Sequence, residues 1–250
     1  MRNRMMAVLP LALAMATTAC SHEGKGAQDG GKRTVDPGPG TTQSYDLKGF
    51  TGVKVAGPDD VTIRRGEAFA ITAKGPKAIV DELEIELDGD TLSIGRKKSG
   101  FSFSHRDDDG VRIEVTMPKL VAARLTGSGS IDADAIDGDA VEAIVTGSGD
   151  LKAAKLTGKS AKLSISGSGD IEIGGGNVAS GEYSVTGSGS IDAEKLAAQT
   201  INASIAGSGD IDAQATGKAD INILGSGDAN ISGGANCTTR AMGSGTATCR

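Results

Sequence analysis

The chain has 250 residues, a net charge of -6 and 38 Gly, with no Trp, 2 Tyr and 4 Phe. A core of bulky aromatics is excluded, which leaves Ile, Leu, Val and Ala to build a thin core shared between stacked strands. The acidic balance also excludes nucleic acid as a partner, because phosphate binding needs a basic face.

The N-terminus carries an address. Arg2 and Arg4 precede an apolar run over residues 5–16, then Thr17-Thr18-Ala19-Cys20. The run is too short to span a bilayer as a helix and reads as a secretory signal, residues 1–19. The small residues ahead of Cys20 resemble a bacterial lipobox, whose Cys is acylated and becomes the mature N-terminus. Thr17 stands where such boxes usually carry Leu, so an ordinary cleaved signal is the other reading. Residues 20–44 are rich in Gly, Lys, Asp and Thr around Pro37-Gly38-Pro39-Gly40. They have too few apolar side chains to order themselves and read as a tether. The reading is thus of an exported protein held by a lipid on Cys20 at the outer membrane, facing the periplasm or the outside. The other two cysteines, Cys237 and Cys249, lie near the end. An exported chain with one lipidated Cys and one disulfide leaves no thiol over. Two free buried thiols are the alternative.

From Tyr45 the pattern alternates with a period of two. Val53 and Val55, Val61 and Ile63, and Phe69 and Ile71 are followed by Leu83, Ile85 and Leu87 set between Glu82, Glu84 and Glu86. Lys77 to Asp81 has the look of one helical turn. Asp88-Gly89-Asp90 signals a turn before Leu92 and Ile94. Residues 99–110 break the pattern with Phe101, Phe103, His105 and an acidic run, as an exposed loop would. Val111, Ile113, Val115 and Met117 form a strand that ends at Pro118.

The remainder, 119–250, is a repeat. Gly-Ser-Gly triplets begin at Gly127, Gly147, Gly167, Gly187, Gly207, Gly225 and Gly243, at steps of 20, 20, 20, 20, 18 and 18. Two residues before each triplet's first Gly stand Leu125, Val145, Ile165, Val185, Ile205, Ile223 and Ala241. Four after it stand Ile131, Leu151, Ile171, Ile191, Ile211, Ala229 and Ala247. An apolar column on each side of a glycine corner predicts stacked coils. The fold class expected is all-β: a single-domain parallel β-helix over residues 45–250, with irregular N-terminal coils over 45–118 acting as a cap. Cys237 and Cys249 lie six residues before and six after Gly243, both in inward columns, where they can face each other across the last coil.

Several features together resemble the putative auto-transporter adhesin head (head GIN) domain family. They are Tyr45-Asp46-Leu47-Lys48-Gly49-Phe50 with Val53-Lys54-Val55, the Leu92-Ser93-Ile94 strand, the strand before Pro118, and the recurrent Gly-Ser-Gly-Asp from Gly147, Gly167, Gly207 and Gly225. The resemblance implies a parallel β-helix on an exported or lipid-anchored envelope protein. It brings no catalytic residues and no cofactor.

The position after each triplet reads Ser130, Asp150, Asp170, Ser190, Asp210, Asp228 and Thr246. Stacked Asp residues invite Ca²⁺, but Ser and Thr fill the same place. Capping of backbone N–H groups at the corner accounts for the whole column. Asp132, Asp134, Asp137 and Asp139 miss the EF-hand spacing and read as a solvated flank. Gly-Ser-Gly is not a nucleophile elbow, which needs Gly-x-Ser-x-Gly and a His partner. Only His22 and His105 exist. The sequence therefore supports a non-catalytic envelope lipoprotein that binds an envelope or surface component. A self-associating structural protein is the runner-up, and a polysaccharide-acting enzyme the weakest reading.

Overall fold

The computed structural model describes residues 40–97 and 111–250. The signal stretch, Cys20, His22, most of the tether and the 99–110 loop lie outside the described residues. Within the described part, every element but one is a strand.

The first elements are β1 (Gly40–Tyr45), β2 (Gly52–Gly57), β3 (Asp60–Arg65), β4 (Ala70–Pro76), α1 (Lys77–Val80), β5 (Leu83–Asp88), β6 (Thr91–Arg96) and β7 (Arg112–Met117). Regular coils follow: β8 (Ala122–Gly127), β9 (Ser130–Ala133), β10 (Ile136–Gly147), β11 (Asp150–Ala153), β12 (Leu156–Gly167), β13 (Ile171–Ile173) and β14 (Gly176–Gly187). The last are β15 (Ser190–Gly207), β16 (Asp210–Gly225), β17 (Ala229–Ser232), β18 (Asn236–Gly243) and β19 (Ala247–Cys249).

The predicted β-helix is present. Strands entering the corner stack in parallel as β8, β10, β12, β14, β15, β16 and β18, with Leu125, Val145, Ile165, Val185, Ile205, Ile223 and Ala241 in one register column. Strands leaving it stack Ile131, Leu151, Ile171, Ile191, Ile211, Ala229 and Ala247 in another. The buried members of these columns form one continuous core. Each Ile or Leu removed from water stabilises by ~1.5–3 kcal/mol, so the coils hold only collectively. The step from 20 to 18 residues is absorbed where β15 meets β16, by register shifts between Ala193 and Ala197 and between Ala198 and Thr200.

One core side chain departs from its column. Tyr183 stands where the neighbouring coils place Leu163 and Ala203, and it is fully buried. Gly181 makes the room: a Cβ there would meet the Tyr183 ring at 2.7 Å. The hydroxyl has no hydrogen-bond partner, and burial raises its pKa.

The N-terminal part continues the same stack out of chain order. β2 lies on β8 with Gly57 opposite Gly127, and β3 lies on β9. β6 then lies on the far side of β2, and β7 on the far side of β3. The coil made by β6 and β7 is therefore outermost although it comes later in sequence. Most of the connection between them lies outside the described residues. Antiparallel strands close this end: β5 on β6, β4 on β7 and β1 on β4. The expected helical turn is α1, with Ile79 and Val80 buried.

Two details differ from the sequence reading. β1 begins at Gly40, inside the stretch read as tether, because antiparallel pairing with β4 satisfies its backbone without apolar side chains. Leu87 is 39% exposed rather than buried, because no described strand lies beyond β5 to cover it.

Candidate functional site

The corners come first, because they carry the most repeated residues. At Gly147 φ is +121°, and a Cβ would meet the carbonyl oxygen of Gly127 at 2.4 Å. At Gly149 a Cβ would meet the carbonyl oxygen of Gly129 at 2.3 Å. The first glycine is thus required by conformation and close approach, the second by close approach alone. The Ser148 and Gly149 N–H groups both donate to the Gly127 carbonyl, at 2.9 and 3.0 Å. The triplet is a hydrogen-bonded joint between coils, with its Ser exposed to solvent.

An eighth corner escaped the sequence reading. Gly57-Pro58-Asp59-Asp60 is in register with Gly127 to Ser130, and Asp59 replaces the third-position glycine. Asp59 is 1% exposed and accepts from Arg96 Nη2 at 2.6 Å, Arg96 Nε at 3.1 Å and the Val111 N–H at 3.3 Å. Arg96 thus meets the third-position side chain here, where in the regular coils the carbonyl of the preceding corner lies. The signal available was Gly-x-x-Asp followed by the Val61 and Ile63 alternation, hidden because Pro stands in for Ser.

The acidic positions after the triplets cap backbone, but across coils rather than within one corner. Asp170 Oδ1 accepts the Ser190 N–H at 2.9 Å, and Asp210 Oδ1 accepts the Asp228 N–H at 2.9 Å. Asp228 Oδ1 accepts both the Thr246 N–H at 2.8 Å and the Thr246 hydroxyl at 2.7 Å. These bonds hold the Asp228 carboxyl below its ordinary value.

Of the cluster Asp132, Asp134, Asp137 and Asp139, the last three are tied down by cations of neighbouring coils. Arg64 binds Asp134 at 2.6 Å, Arg65 binds Asp137 at 2.5 Å and Lys159 binds Asp139 at 3.0 Å. Above Asp132, Lys152 and Glu172 pair at 2.8 Å, which raises the Lys152 pKa and lowers that of Glu172. Among the described residues no group of three His, Cys, Asp or Glu is arranged to hold a metal.

The flank beside the entering strands offers a different surface. A shallow groove of about 490 Å³ crosses the coils of β10, β12, β14 and β15. Small residues line it, among them Ala140, Ser160, Ala161, Ser180 and Gly181. One column of longer side chains runs along it: Glu142, Lys162, Glu182 and Asn202, in register from coil to coil. Glu142 is held by Arg124 at 2.5 Å. Lys162, Glu182 and Asn202 point outward with no ion pair or hydrogen bond within the described residues. The groove thus presents ammonium, carboxylate and amide in a row at roughly 4.8 Å intervals. No large apolar or aromatic side chain lines it.

Cys237 and Cys249 sit in the terminal coil, joined by a disulfide with Cα atoms 6.6 Å apart. Their columns are inward ones, in register with Ala219 and Ile231. Among the described residues nothing stacks on the far side of β18 and β19, and Cys249 and Ala241 are exposed.

The family model described as "Putative auto-transporter adhesin, head GIN domain" matches residues 49–235. No curated protein matches the sequence. Among solved structures, a putative adhesin from Bacteroides fragilis is 21% identical, with 85% of this chain and 97% of that chain covered and a TM-score of 0.73. A putative adhesin from Parabacteroides merdae is 21% identical over 85% of this chain and 97% of that chain, with a TM-score of 0.68. A protein from Parabacteroides distasonis described as a putative lipid binding protein is 24% identical over 85% and 97%, with a TM-score of 0.65. At these identities the likeness is one of fold.

Proposed function

The chain belongs to the family of the putative auto-transporter adhesin, head GIN domain, and from that premise we propose that it is a non-catalytic binding protein of the cell envelope whose ligand lies in the groove. The observation that carries this is the row of Lys162, Glu182 and Asn202, exposed and unpartnered on a surface where the neighbouring charges are paired. Such a row suits an extended polar polymer of the envelope or of a neighbouring surface, one that carries hydroxyl and charged groups. The apolar part of the groove is limited to Ala140, Val141 and Ala161, too little to cover an acyl chain, so the lipid binding ascribed to the Parabacteroides distasonis neighbour is not carried over. The 1–19 signal, a lipid on Cys20 and the tether behind it would place the head at the outer membrane.

Binding of the purified chain to isolated envelope polysaccharide and to intact cells tests the groove. A Lys162→Ala/Glu182→Ala/Asn202→Ala variant should keep its circular dichroism spectrum and lose at least tenfold in affinity; equal binding would sink the reading. Labelled palmitate incorporated by the natural chain and lost on Cys20→Ser tests the anchor, and label retained by the variant refutes it. Thiol titration of the unfolded, unreduced protein tests the Cys237–Cys249 bond in cells: two reactive thiols there would mean that it does not form.

A further inference from the structure

The two ends of the stack differ in a way that neither the repeat nor the groove requires. Among the described residues the exposed large hydrophobics are three: Leu87 at 39%, Leu224 at 60% and Met242 at 71%. All three lie at the ends. Leu87 is on β5, which among the described residues pairs with β6 alone. Leu224 and Met242 are neighbours in register on β16 and β18, and among the described residues β18 pairs with β16 alone. Their column, outward and just before the triplet, reads Thr126, Thr146, Ser166, Thr186 and Ala206 in the earlier coils. Only the last two coils make it strongly apolar.

The charges at the ends are opposite. The β5 hairpin carries Glu82, Glu84, Glu86, Asp88 and Asp90, and Glu84, Glu86 and Asp88 are exposed with no cationic partner among the described residues. The last coil, residues 235–250, carries Arg240 and Arg250 and no acidic side chain. Both edges belong to one sheet, in the order β5, β6, β2, β8, β10, β12, β14, β15, β16, β18. An unpaired edge strand is a template for another chain, and proteins that avoid this use Lys or Pro on the edge. β18, Asn-Cys-Thr-Thr-Arg-Ala-Met-Gly, has neither.

We propose that the chain associates head to tail with a second copy of itself, the β18 edge of one copy pairing with the β5 edge of the next. Direction agrees: β5 runs antiparallel to β6 while β18 runs with the stack, so the new pair is antiparallel. Glu84 and Glu86 lie on the outward face of β5, the face on which β18 carries Arg240 and Met242, so carboxylates meet a guanidinium across the new pair, while Leu87, opposite the buried Leu92, turns to the inward face. A contact between two different edges does not close on itself, so it extends into a linear assembly rather than stopping at a dimer.

Sedimentation of the purified full chain, with Cys20→Ser so that no acyl group contributes, tests this across concentration. The mean mass should rise beyond a dimer without a plateau. Glu84→Lys/Glu86→Lys and Arg240→Glu alter exposed side chains only. Each should keep the fold by circular dichroism and associate on the order of tenfold more weakly. An equimolar mixture of the two should recover association, because the basic β5 edge of one meets the acidic β18 edge of the other. A monomer at all concentrations overturns the proposal. So does a mass that stops at a dimer and ignores the β5 variant, which is the result for two β18 edges meeting about a two-fold axis.

Discussion

The first corner and the seven regular ones solve the same problem with different residues. In the regular coils the third position must be Gly, because the carbonyl of the preceding corner lies where a Cβ would be. At the first corner Asp59 takes that position and the Arg96 guanidinium binds it. The corner residue is therefore set by what lies beneath it, not by the turn itself. Where another glycine corner lies beneath, the smallest residue is needed. Where Arg96 lies there instead, a buried carboxylate binds it.

Breaking a regular corner should have the largest effect. In Gly169→Ala the new Cβ would meet the Gly149 carbonyl oxygen at 2.0 Å and the buried Val145 side chain at 2.9 Å, and the backbone contact cannot yield. A loss of more than about 3 kcal/mol is expected in urea unfolding. Gly40→Ala, with nothing within 4 Å, should stay within about 0.5 kcal/mol of the parent. Equal effects would show that close stacking is not what selects glycine.

The first corner makes the complementary test. Arg96→Ala leaves the buried Asp59 carboxylate without its ion pair and should cost about 3 kcal/mol. Adding Asp59→Gly recreates the regular corner and should recover most of that loss. A strictly additive double variant would mean that Arg96 acts elsewhere.

A smaller effect is expected inside the coils. Tyr183→Phe removes a buried hydroxyl that has no partner and should stabilise by about 1 kcal/mol. Destabilisation in thermal unfolding would indicate a bound water at that oxygen.

The smallest effect concerns pH. The Asp228 carboxyl titrates below its ordinary value because Thr246 donates to it. A depressed folded-state pKa stabilises fully above the unfolded value, near about 3.9. That contribution is lost as pH falls through the folded value. Asp228→Asn should flatten the acid limb of stability below about pH 4, and an unchanged limb would count against the inter-coil bond.

Much of the architecture was legible because a repeat writes each constraint many times. The apolar columns at Leu125 and Ile131, the corner glycines and the positions of the cysteines in their columns all appear as spacing. The groove was not legible. Glu142, Lys162, Glu182 and Asn202 have no common chemistry, so they form no motif; only register makes them a row. The acidic cluster was misleading for the same reason. Its partners Arg64 and Arg65 come from β3, some seventy residues earlier, and reach Asp134 and Asp137 only because β3 stacks on β9.

By itself, then, the sequence determined that the strands alternate, that they recur and that glycine turns them. Those properties rest on local backbone geometry and on burial, both of which leave a period behind. Tertiary structure alone decided the order of the coils, with β6 and β7 placed outside β2 and β3. It also decided which charges are paired, and which edges are bare. These depend on what lies one coil away, a neighbour that sequence separation does not reveal once the repeat breaks down.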